Sequence, residues 1–383
     1  MRSNIPILAF LIVIILLLGK GVFIDDVEID TGIYYSYSSM FEEGLYPYSD
    51  FSFEYPPGAF LILLTPALLS NSAEGYKIIF SIFIALALFL CGIIIYMRSR
   101  SGLIIFTAAV ILIPSILIFQ RFDTLAAALT LSSLVLFSKK KHLMGSFLLA
   151  LAASIKLYPA IIFPIYAMHL PKEERLDNIL AFIIGLLIMF IPFFAFSSPA
   201  QISSFLNYHI DRPVQIESTW ASLSIIFGKL GEDLLITGGF GSMNIISESA
   251  QFFGKAGVFL FLAFLSAAYY YLSKKEKNEK ILFTGAFILI AGAIAFSKVF
   301  SPQYIIWLIV IFPLIYSDFK KDNYILWTVF AEILILTHLI YPVFYRELIM
   351  LNDIPVLILI ARNVLFLILI FLASKDLFGH KRE

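Results

Sequence analysis

Residues 74–97 read EGYKIIFSIFIALALFLCGIIIYM, an apolar run long enough to cross a bilayer as a single helix. Such runs recur from end to end of the 383-residue chain, in which 60% of residues are hydrophobic and 14% are charged. The sequence therefore predicts an all-α, polytopic membrane protein with one integral membrane domain over residues 1–383. We count roughly twelve spans of about 20 residues each. They lie near residues 5–22, 74–97, 102–119, 121–138, 143–156, 157–170, 177–197, 252–272, 280–297, 302–317, 323–341 and 353–374.

Proline makes two parts of this division ambiguous. Pro159 and Pro164 interrupt residues 143–170, which form either one span or two. Residues 58–70, GAFLILLTPALLS, number only about 13 and contain Pro66, so they favour an interfacial or re-entrant helix over a span.

The positions of basic residues predict the orientation. With the N-terminus inside, every cluster of Lys and Arg falls on the cytoplasmic side, as the positive-inside rule requires. Both termini are then cytoplasmic, and residues 23–73 and 198–251 form two large extracytoplasmic loops. The clusters are Arg98 with Arg100, Lys139–Lys141, Lys172 with Arg175, residues 273–280, Lys320 with Lys321, and the C-terminal residues HKRE.

The composition also excludes several classes. Formal net charge is zero, with 27 basic and 27 acidic residues, so bulk charge gives no case for a nucleic-acid partner. Cys91 is the only cysteine, which excludes an internal disulfide and a cysteine-based metal site. No glycine-rich phosphate loop is present, which argues against a soluble nucleotide as energy source.

The first outer loop is strongly acidic. Residues 23–57 read FIDDVEIDTGIYYSYSSMFEEGLYPYSDFSFEYPP, with eight carboxylates and no basic residue. A carboxylate held just past the first helix can take a proton from an alcohol while a lipid-linked leaving group departs. Asp30 is our candidate for this base, with Glu28 and Tyr34 as support. The other acids, such as Glu42 and Glu43, are expected to be solvated, and the loop tyrosines 34, 35, 46, 48 and 55 are candidates to line a sugar pocket.

Isolated basic residues occur in the short outer connections, against the statistical trend for that side of a membrane. They favour a site for an anion, although anchoring at lipid headgroups is an alternative explanation. Arg121 and Asp123 could also pair with each other or cap a helix. These basic residues are Arg121 in QRFD, Lys156 in SIKLYP, Arg212 in YHIDRPVQIES, Lys298 in FSKVFSPQY and Arg346 in YREL.

An ordered set of motifs spans about residues 20–315 and resembles the multi-spanning GT-C glycosyltransferases. It is most similar to the polyprenyl-phosphate-mannose-dependent mannosyltransferases that elongate phosphatidylinositol mannosides. The glycosylphosphatidylinositol mannosyltransferase catalytic subunit is a more distant relative, with D-x-D where this chain has Glu28-Ile-Asp30. The motifs are D-x-x-x-Y at 30–34, G-x-x-P-Y at 44–48, Y-P-P at 55–57, R-x-D at 121–123, K-x-Y-P at 156–159, Y-H-x-x-R-x-x-Q-x-E-S at 208–218 and S-P-Q-Y at 301–304.

The resemblance implies a GT-C-like fold and inverting sugar transfer from a polyprenyl phosphate on the extracytoplasmic face, with Asp30 as base. The donor would be a polyprenyl-phosphate sugar and the acceptor a glycolipid or glycan within the membrane lipid. Mannose is expected, with glucose and arabinose left open, and the scheme needs no cofactor or metal. Arg212 and Lys298 would hold the leaving phosphate, because fixed cations stabilise the charge that builds there. The rest of the donor-binding set is His209, Gln303, Tyr304, Arg121, Asp123 and Lys156.

Two other functions remain open at this point. A secondary transporter or flippase for a lipid-linked sugar would use Glu332 and Arg362, two charges near the centres of the last two spans. We expect these two residues to pair with each other. A protein that binds a lipid-linked glycan without chemistry is the third alternative. Trp220 and Trp307 are expected in the interfacial aromatic belt.

Overall fold

A computed structural model describes residues 4–23, 30–317 and 323–379 of the chain. This part of the chain is mostly helical, and seven of its helical segments are long and apolar enough to cross a membrane. A multi-pass membrane protein is therefore confirmed, whereas a count of twelve spans is not. The seven segments are Ile5–Phe23, Ala73–Arg98, Lys172–Ala195, Glu248–Ser273, Glu279–Phe296, Tyr324–Val343 and Asp353–Lys375.

The elements follow one another closely along the chain. The helices up to residue 190 are α1 (Ile5–Phe23), α2 (Asp30–Glu42), α3 (Pro57–Ala67), α4 (Ala73–Arg98), α5 (Arg100–Leu112), α6 (Ser115–Phe119), α7 (Asp123–Ser138), α8 (His142–Ile155), α9 (Phe163–His169) and α10 (Lys172–Phe190). The later helices are α11 (Pro199–Ile202), α12 (Ser204–Asp211), α13 (Thr219–Lys229), α14 (Glu248–Ser273), α15 (Glu279–Phe296), α16 (Ile305–Ile309), α17 (Phe312–Ile315), α18 (Tyr324–His338), α19 (Tyr345–Ile349) and α20 (Asp353–Gly379). Short 3₁₀ helices lie at Tyr158–Ile162, Ile191–Ala195 and Pro302–Tyr304, and a π-helical turn lies at Leu339–Val343.

Prolines divide several of the predicted spans. The apolar segment 102–119 is two helices, because α5 ends at Leu112 and α6 begins at Ser115. Pro114 has no N–H to donate and disfavours helical backbone at Ile113, which is extended with φ −98° and ψ 151°. Residues 302–317 are likewise divided into a 3₁₀ turn, α16 and α17. These shorter elements pack inside the bundle, where neighbouring helices cover their broken backbone.

The first outer connection is a folded unit built on α2 and α3. Tyr76 of α4 donates from its hydroxyl to the Leu63 carbonyl of α3 at 2.8 Å, and Ser38 of α2 donates to the same carbonyl at 3.1 Å. Helix α3 has 11 residues, in keeping with the short element expected there. This packing fixes Asp30, the first residue of α2, against the bundle, while Glu28 lies outside the described residues.

The second large connection contains a small β-sheet, so the expectation of a purely helical chain is wrong here. Strands β1 (Val214–Gln215), β2 (Leu235–Gly239) and β3 (Ser242–Ile246) are antiparallel, in the order β1-β3-β2. Phe240 and Gly241 join β2 to β3 with φ values of 53° and 64°. Positive φ at both central residues is the geometry that matches a two-residue turn to strand twist. The sheet fastens residue 214 and its neighbours to the membrane helices.

Parts of the predicted basic clusters meet at one end of the bundle, while Lys320, Lys321 and residues 380–383 lie outside the described residues. Arg98 at the end of α4 pairs with Glu279 at the start of α15. Nδ1 of His142 lies 2.6 Å from a carboxylate oxygen of Glu174, and Lys139 lines a cavity of about 300 Å³ together with Arg98. The sequence predicted that these residues share one side of the membrane, and the described helices bring them together. Assignment of that side to the cytoplasm remains a prediction.

Candidate functional site

The charged site residues sit where helices begin or end. Asp30 is the first residue of α2 and Asp123 the first of α7. Lys156 and Arg212 follow the last residues of α8 and α12, and Lys298 lies two residues beyond α15. Carboxylates are favoured at helix N-termini and cations at C-termini, because each complements the partial charges of the unsatisfied backbone groups there. The five side chains therefore all lie at or just beyond helix termini, where charge is favoured.

Two ion pairs form the first half of the site. Arg121 lies 2.6 Å from a carboxylate oxygen of Asp30, and Lys156 lies 3.4 Å from a carboxylate oxygen of Asp123. Asp123 also accepts a hydrogen bond of 2.9 Å from the indole N–H of Trp307. Arg121 and Asp123 thus have separate partners, so the alternative that they pair with each other is wrong. Lys156 faces the protein rather than the lipid headgroups.

Aromatic rings enclose the Lys156 ammonium. Its Nζ lies 4.5 Å from the ring centre of Phe122 and 5.1 Å from that of Tyr55, distances at which cation–π attraction operates. Trp307 stacks on Tyr158 at 4.0 Å and on Tyr304 at 4.2 Å between ring centres. Trp307 is buried within this group, so its expected place in the interfacial belt is wrong. Trp220 is also buried, with its N–H donated to the Phe296 carbonyl.

The second half of the site consists of Arg212 and Lys298. Arg212 is 8% exposed and donates from Nη2 to the Ser242 hydroxyl at 2.8 Å, while its Nε has no hydrogen-bond partner among the described residues. Lys298 donates from Nζ to the Ile210 carbonyl at 2.6 Å. Within the described ranges neither cation forms an ion pair with a carboxylate. Both charges are therefore available to an anionic group.

His209 shows that the two halves share one electrostatic environment. Burial, together with the positive charges of Lys156, Arg212 and Lys298, lowers the pKa of this imidazole to about 4, against an opposing effect of Glu54. The ring is therefore neutral at pH 7 and can donate or accept a hydrogen bond without adding charge. Burial also lowers the pKa of Lys298, against an opposing effect of the Asp211 charge, and Arg212 acts in the same direction as burial.

Asp30 has the electrostatics of a tunable base. Burial raises the pKa of this carboxyl above its ordinary value, and the positive charges of Arg121 and Lys156 act against that rise. A higher pKa makes a carboxylate a better proton acceptor. Tyr34, the predicted support residue, lies one turn further along α2 and is buried against Phe80 and Phe122. Burial raises the pKa of its hydroxyl, and the negative charge of Asp30 acts in the same direction.

The remaining predicted residues fall in different places. Tyr304 belongs to the aromatic group around Lys156. Gln303 is buried, and its Oε1 has no partner among the described residues. Of the loop tyrosines, Tyr55 reaches the site. Tyr35 donates to the Asn71 carbonyl within its own connection, and Tyr46 stacks on Phe196, which follows α10.

Two carboxylates outside the predicted set, Glu54 and Glu217, also belong to the candidate site. The negative charge of Glu54 acts on the hydroxyls of Tyr55 and Tyr208 and on His209. Glu217 is 2% exposed and accepts from the Gln215 side-chain amide at 2.9 Å. Its position in the 208–218 motif was the available signal, but no sequence pattern distinguished it from a surface residue.

The expected pair between Glu332 and Arg362 is wrong. Glu332 is exposed on α18, whereas Arg362 of α20 is fully buried. Arg362 instead donates from Nη2 to the backbone carbonyl of Glu217 and lies 3.8 Å from the ring centre of Phe300. This removes the mid-membrane charge pair on which a transporter function would depend.

The fold and the site define a multi-pass membrane protein with a compact charged site at one end of its helical bundle. The model for glycosyltransferase family 87 matches residues 53–302, about two thirds of the chain. The chain belongs to this family, and the protein is a membrane glycosyltransferase. The match includes Glu54, Arg121, Lys156, Arg212 and Lys298, and Asp30 precedes it. A search of curated proteins gave no significant match.

Proposed function

We propose that the protein transfers a hexose, mannose in the first instance, from a polyprenyl phosphate to a hydroxyl of a glycolipid or glycan, with inversion at the anomeric carbon. The observation that carries the proposal is the placement of two cations without carboxylate partners, Arg212 and Lys298, whose charges act on His209 together with that of Lys156. A phosphate leaving group requires such cations, because negative charge builds on it as the sugar–phosphate bond breaks.

The acceptor hydroxyl is the nucleophile in this scheme. Its proton passes to the Asp30 carboxylate as its oxygen attacks the anomeric carbon, and the bond from that carbon to the phosphate oxygen breaks. Burial raises the pKa of Asp30 and so strengthens the base, while the ion pair with Arg121 orients it. The products are the glycosylated acceptor and a polyprenyl phosphate, with the proton left on Asp30 for release to water.

The leaving phosphate binds Arg212 and Lys298. Arg212 supplies a planar fork that matches phosphate oxygens, and Lys298 supplies a point charge. His209 lies near the end of α12, the helix that Arg212 follows. Because its ring is neutral, it adds a hydrogen bond to the phosphate without adding charge. Lys156 is held by Asp123 and by the rings of Phe122 and Tyr55, so we assign it to organising the sugar pocket.

The direct experiment uses purified protein with radiolabelled polyprenyl-phosphate mannose and an extract of membrane glycolipids. Labelled glycolipid should form with the wild type and not with Asp30→Asn, and polyprenyl-phosphate glucose and a nucleotide-linked mannose serve as alternative donors. Transfer from the nucleotide donor alone would contradict the assignment of a lipid-linked donor. Transfer of glucose but not mannose would change the sugar and retain the site.

The proposed orientation places the site on the extracytoplasmic face and both termini in the cytoplasm. Single cysteines are placed at position 50 or 100 in a Cys91→Ser background and treated from outside with an impermeant thiol reagent. The cysteine at position 50 should be labelled and the one at position 100 should not. Cys91 is buried, so its replacement removes background labelling at little structural risk. Outside labelling at position 100 would reverse the orientation and place the site on the cytoplasmic side.

A further inference from the structure

One backbone segment, residues 212–218, carries Arg212 and is bonded to Lys298. The backbone N–H of Gln215 donates to the Lys298 carbonyl at 2.9 Å. Val214 and Gln215 form β1, which pairs with β3, and β3 begins at Ser242, the hydroxyl partner of Arg212. The relative position of the two phosphate-binding cations therefore depends on how this segment is held.

Helix α20 holds the far end of the segment through two consecutive side chains. Arg362 donates from Nη2 to the Glu217 carbonyl, and Asn363 donates from Nδ2 to the Ser218 carbonyl at 3.0 Å and to the Ser222 hydroxyl at 2.7 Å. Both side chains are buried, Arg362 completely. The two carbonyls lie where the segment enters α13, and the Ser218 carbonyl also accepts from the backbone N–H of Ser222 in the first turn of that helix.

The cost of burying these groups argues against a passive role. A buried guanidinium is expensive unless it is hydrogen-bonded and its charge is offset; Arg362 has the Glu217 carbonyl for the first and the face of the Phe300 ring for the second. Apolar packing would stabilise a membrane helix at this place without that cost. Gln215 connects the group back to the segment, since its side-chain amide donates to Glu217 at 2.9 Å. Glu217 also acts electrostatically on Arg121 and Arg212, the cations of the two halves of the site.

We infer that Arg362 and Asn363 of α20 are positioning residues that set the register of residues 212–218 and thereby place Arg212 and Lys298 against the donor phosphate. This inference rests on the phosphate-binding role proposed above for Arg212 and Lys298. It gives a function to a helix that lies beyond the 53–302 region shared with the family model. Residues 212–218 lie within the family match, whereas Arg362 and Asn363, which hold them, lie outside it.

The test compares Arg362→Gln, Arg362→Lys and Asn363→Ala with Arg98→Gln as matched control. Arg98 resembles Arg362 because its guanidinium also lies over a phenylalanine ring, but it pairs with the Glu279 carboxylate and belongs to the opposite end of the bundle. Three quantities are measured for each variant: hydrogen exchange of the 212–218 peptide, binding of polyprenyl monophosphate, and kcat/KM in the presence and absence of Arg212→Ala. Asn363→Ala keeps the test valid if Arg362→Gln does not fold.

Arg362→Gln should accelerate exchange at Gln215, Ile216 and Ser218 and lower kcat/KM by tenfold to about a hundredfold, the usual cost of a small misplacement. Polyprenyl monophosphate should bind correspondingly less tightly. In the Arg212→Ala background the same change should cost less than about twofold, because residues acting through one another are not additive. Arg362→Lys should be intermediate, and Arg98→Gln should leave exchange of the segment unchanged.

Full additivity of Arg362→Gln with Arg212→Ala, or unchanged exchange of residues 212–218 in both Arg362→Gln and Asn363→Ala, would overturn the inference. If the wild type neither transfers sugar nor binds polyprenyl monophosphate, the proposed function fails instead. The exchange measurement then still decides whether α20 fixes the segment.

Discussion

The two halves of the site use positive charge differently. Arg121 and Lys156 each have a carboxylate partner, at 2.6 and 3.4 Å, and Lys156 is also enclosed by aromatic rings. Arg212 and Lys298 have a hydroxyl and a backbone carbonyl as partners. Paired charges hold their neighbours in place, whereas unpaired charges near a protein surface are available to a ligand. The role of each cation is therefore decided by the group that neutralises it and not by its residue type.

The largest effect should follow from changing the base in the first half. Asp30→Asn retains the shape and the bond to Arg121 but cannot accept a proton, so turnover should fall by about 10²- to 10⁴-fold. Binding of the lipid donor should change little. Radiolabelled transfer and donor binding, measured on protein with an unchanged thermal transition, give the two quantities. Near-normal transfer would remove Asp30 as the base and direct attention to Glu54.

The next largest effect should come from the unpaired cations. Arg212→Ala and Lys298→Ala should each lower turnover by about 10- to 10³-fold, because each removes a charge contact to the transition state. Thermal stability should change little, since neither forms an ion pair. Lys229→Ala, which breaks an exposed ion pair with Asp353, is the matched control. Variants that lose stability and keep turnover would place these cations with Arg121 and Lys156.

The paired cation Lys156 should show the opposite pattern. Lys156→Met leaves the carboxylate of Asp123, which is 1% exposed, without its counter-charge. Loss of one partner of a buried pair costs about 3 kcal/mol or more, so the thermal transition should fall clearly. Adding Asp123→Asn should restore part of that loss, because the buried charge is then gone. Failure of the double variant to recover would mean that Lys156 stabilises the fold through its ring contacts alone.

A smaller effect concerns pH and the carboxylate behind Arg212. Burial raises the pKa of Glu217 from 4.5 to about 7, so the folded protein binds this proton more tightly than the unfolded chain. The stabilisation is fully present below pH 4.5 and is lost as pH rises through about 7. Glu217→Gln cannot titrate, so wild type should lose stability relative to it between about pH 5 and pH 8. A difference that is constant with pH would contradict the raised pKa.

The smallest effect should come from the exposed acids of the same helix as Asp30. Glu42→Gln and Glu43→Gln should change transfer by less than about twofold, because solvated charges contribute little. Glu42 is the last residue of α2 and Glu43 follows it, and both are exposed. A large loss in either would mean that the acidity of the whole connection, and not a single carboxylate, supports transfer.

The site was predictable where local sequence decides it. Asp30 and Asp123 begin helices, and Lys156 and Arg212 end them, so their common location follows from topology and the positive-inside rule. The choice of partners was not predictable. Arg121 and Asp123 are two residues apart in sequence yet pair with Asp30 and Lys156, because a helix begins between them and directs the two side chains differently. The predicted pair of Glu332 and Arg362 was wrong for a similar reason, because α18 exposes the first side chain while α20 buries the second.

Sequence by itself determined the membrane class, and it predicted a common side for the basic clusters and the charged residues of the candidate site, because hydrophobicity and charge act on each segment separately. Only the tertiary structure decided which charges are neutralised, that Trp307 is buried at the site, and that Arg362 reaches Glu217. These depend on contacts between residues that are far apart in sequence, by 33 and 91 positions in the two ion pairs and by more than a hundred for Trp307 and Arg362. Such contacts follow from how helices rotate and tilt against one another, a property set by the packing of the whole bundle.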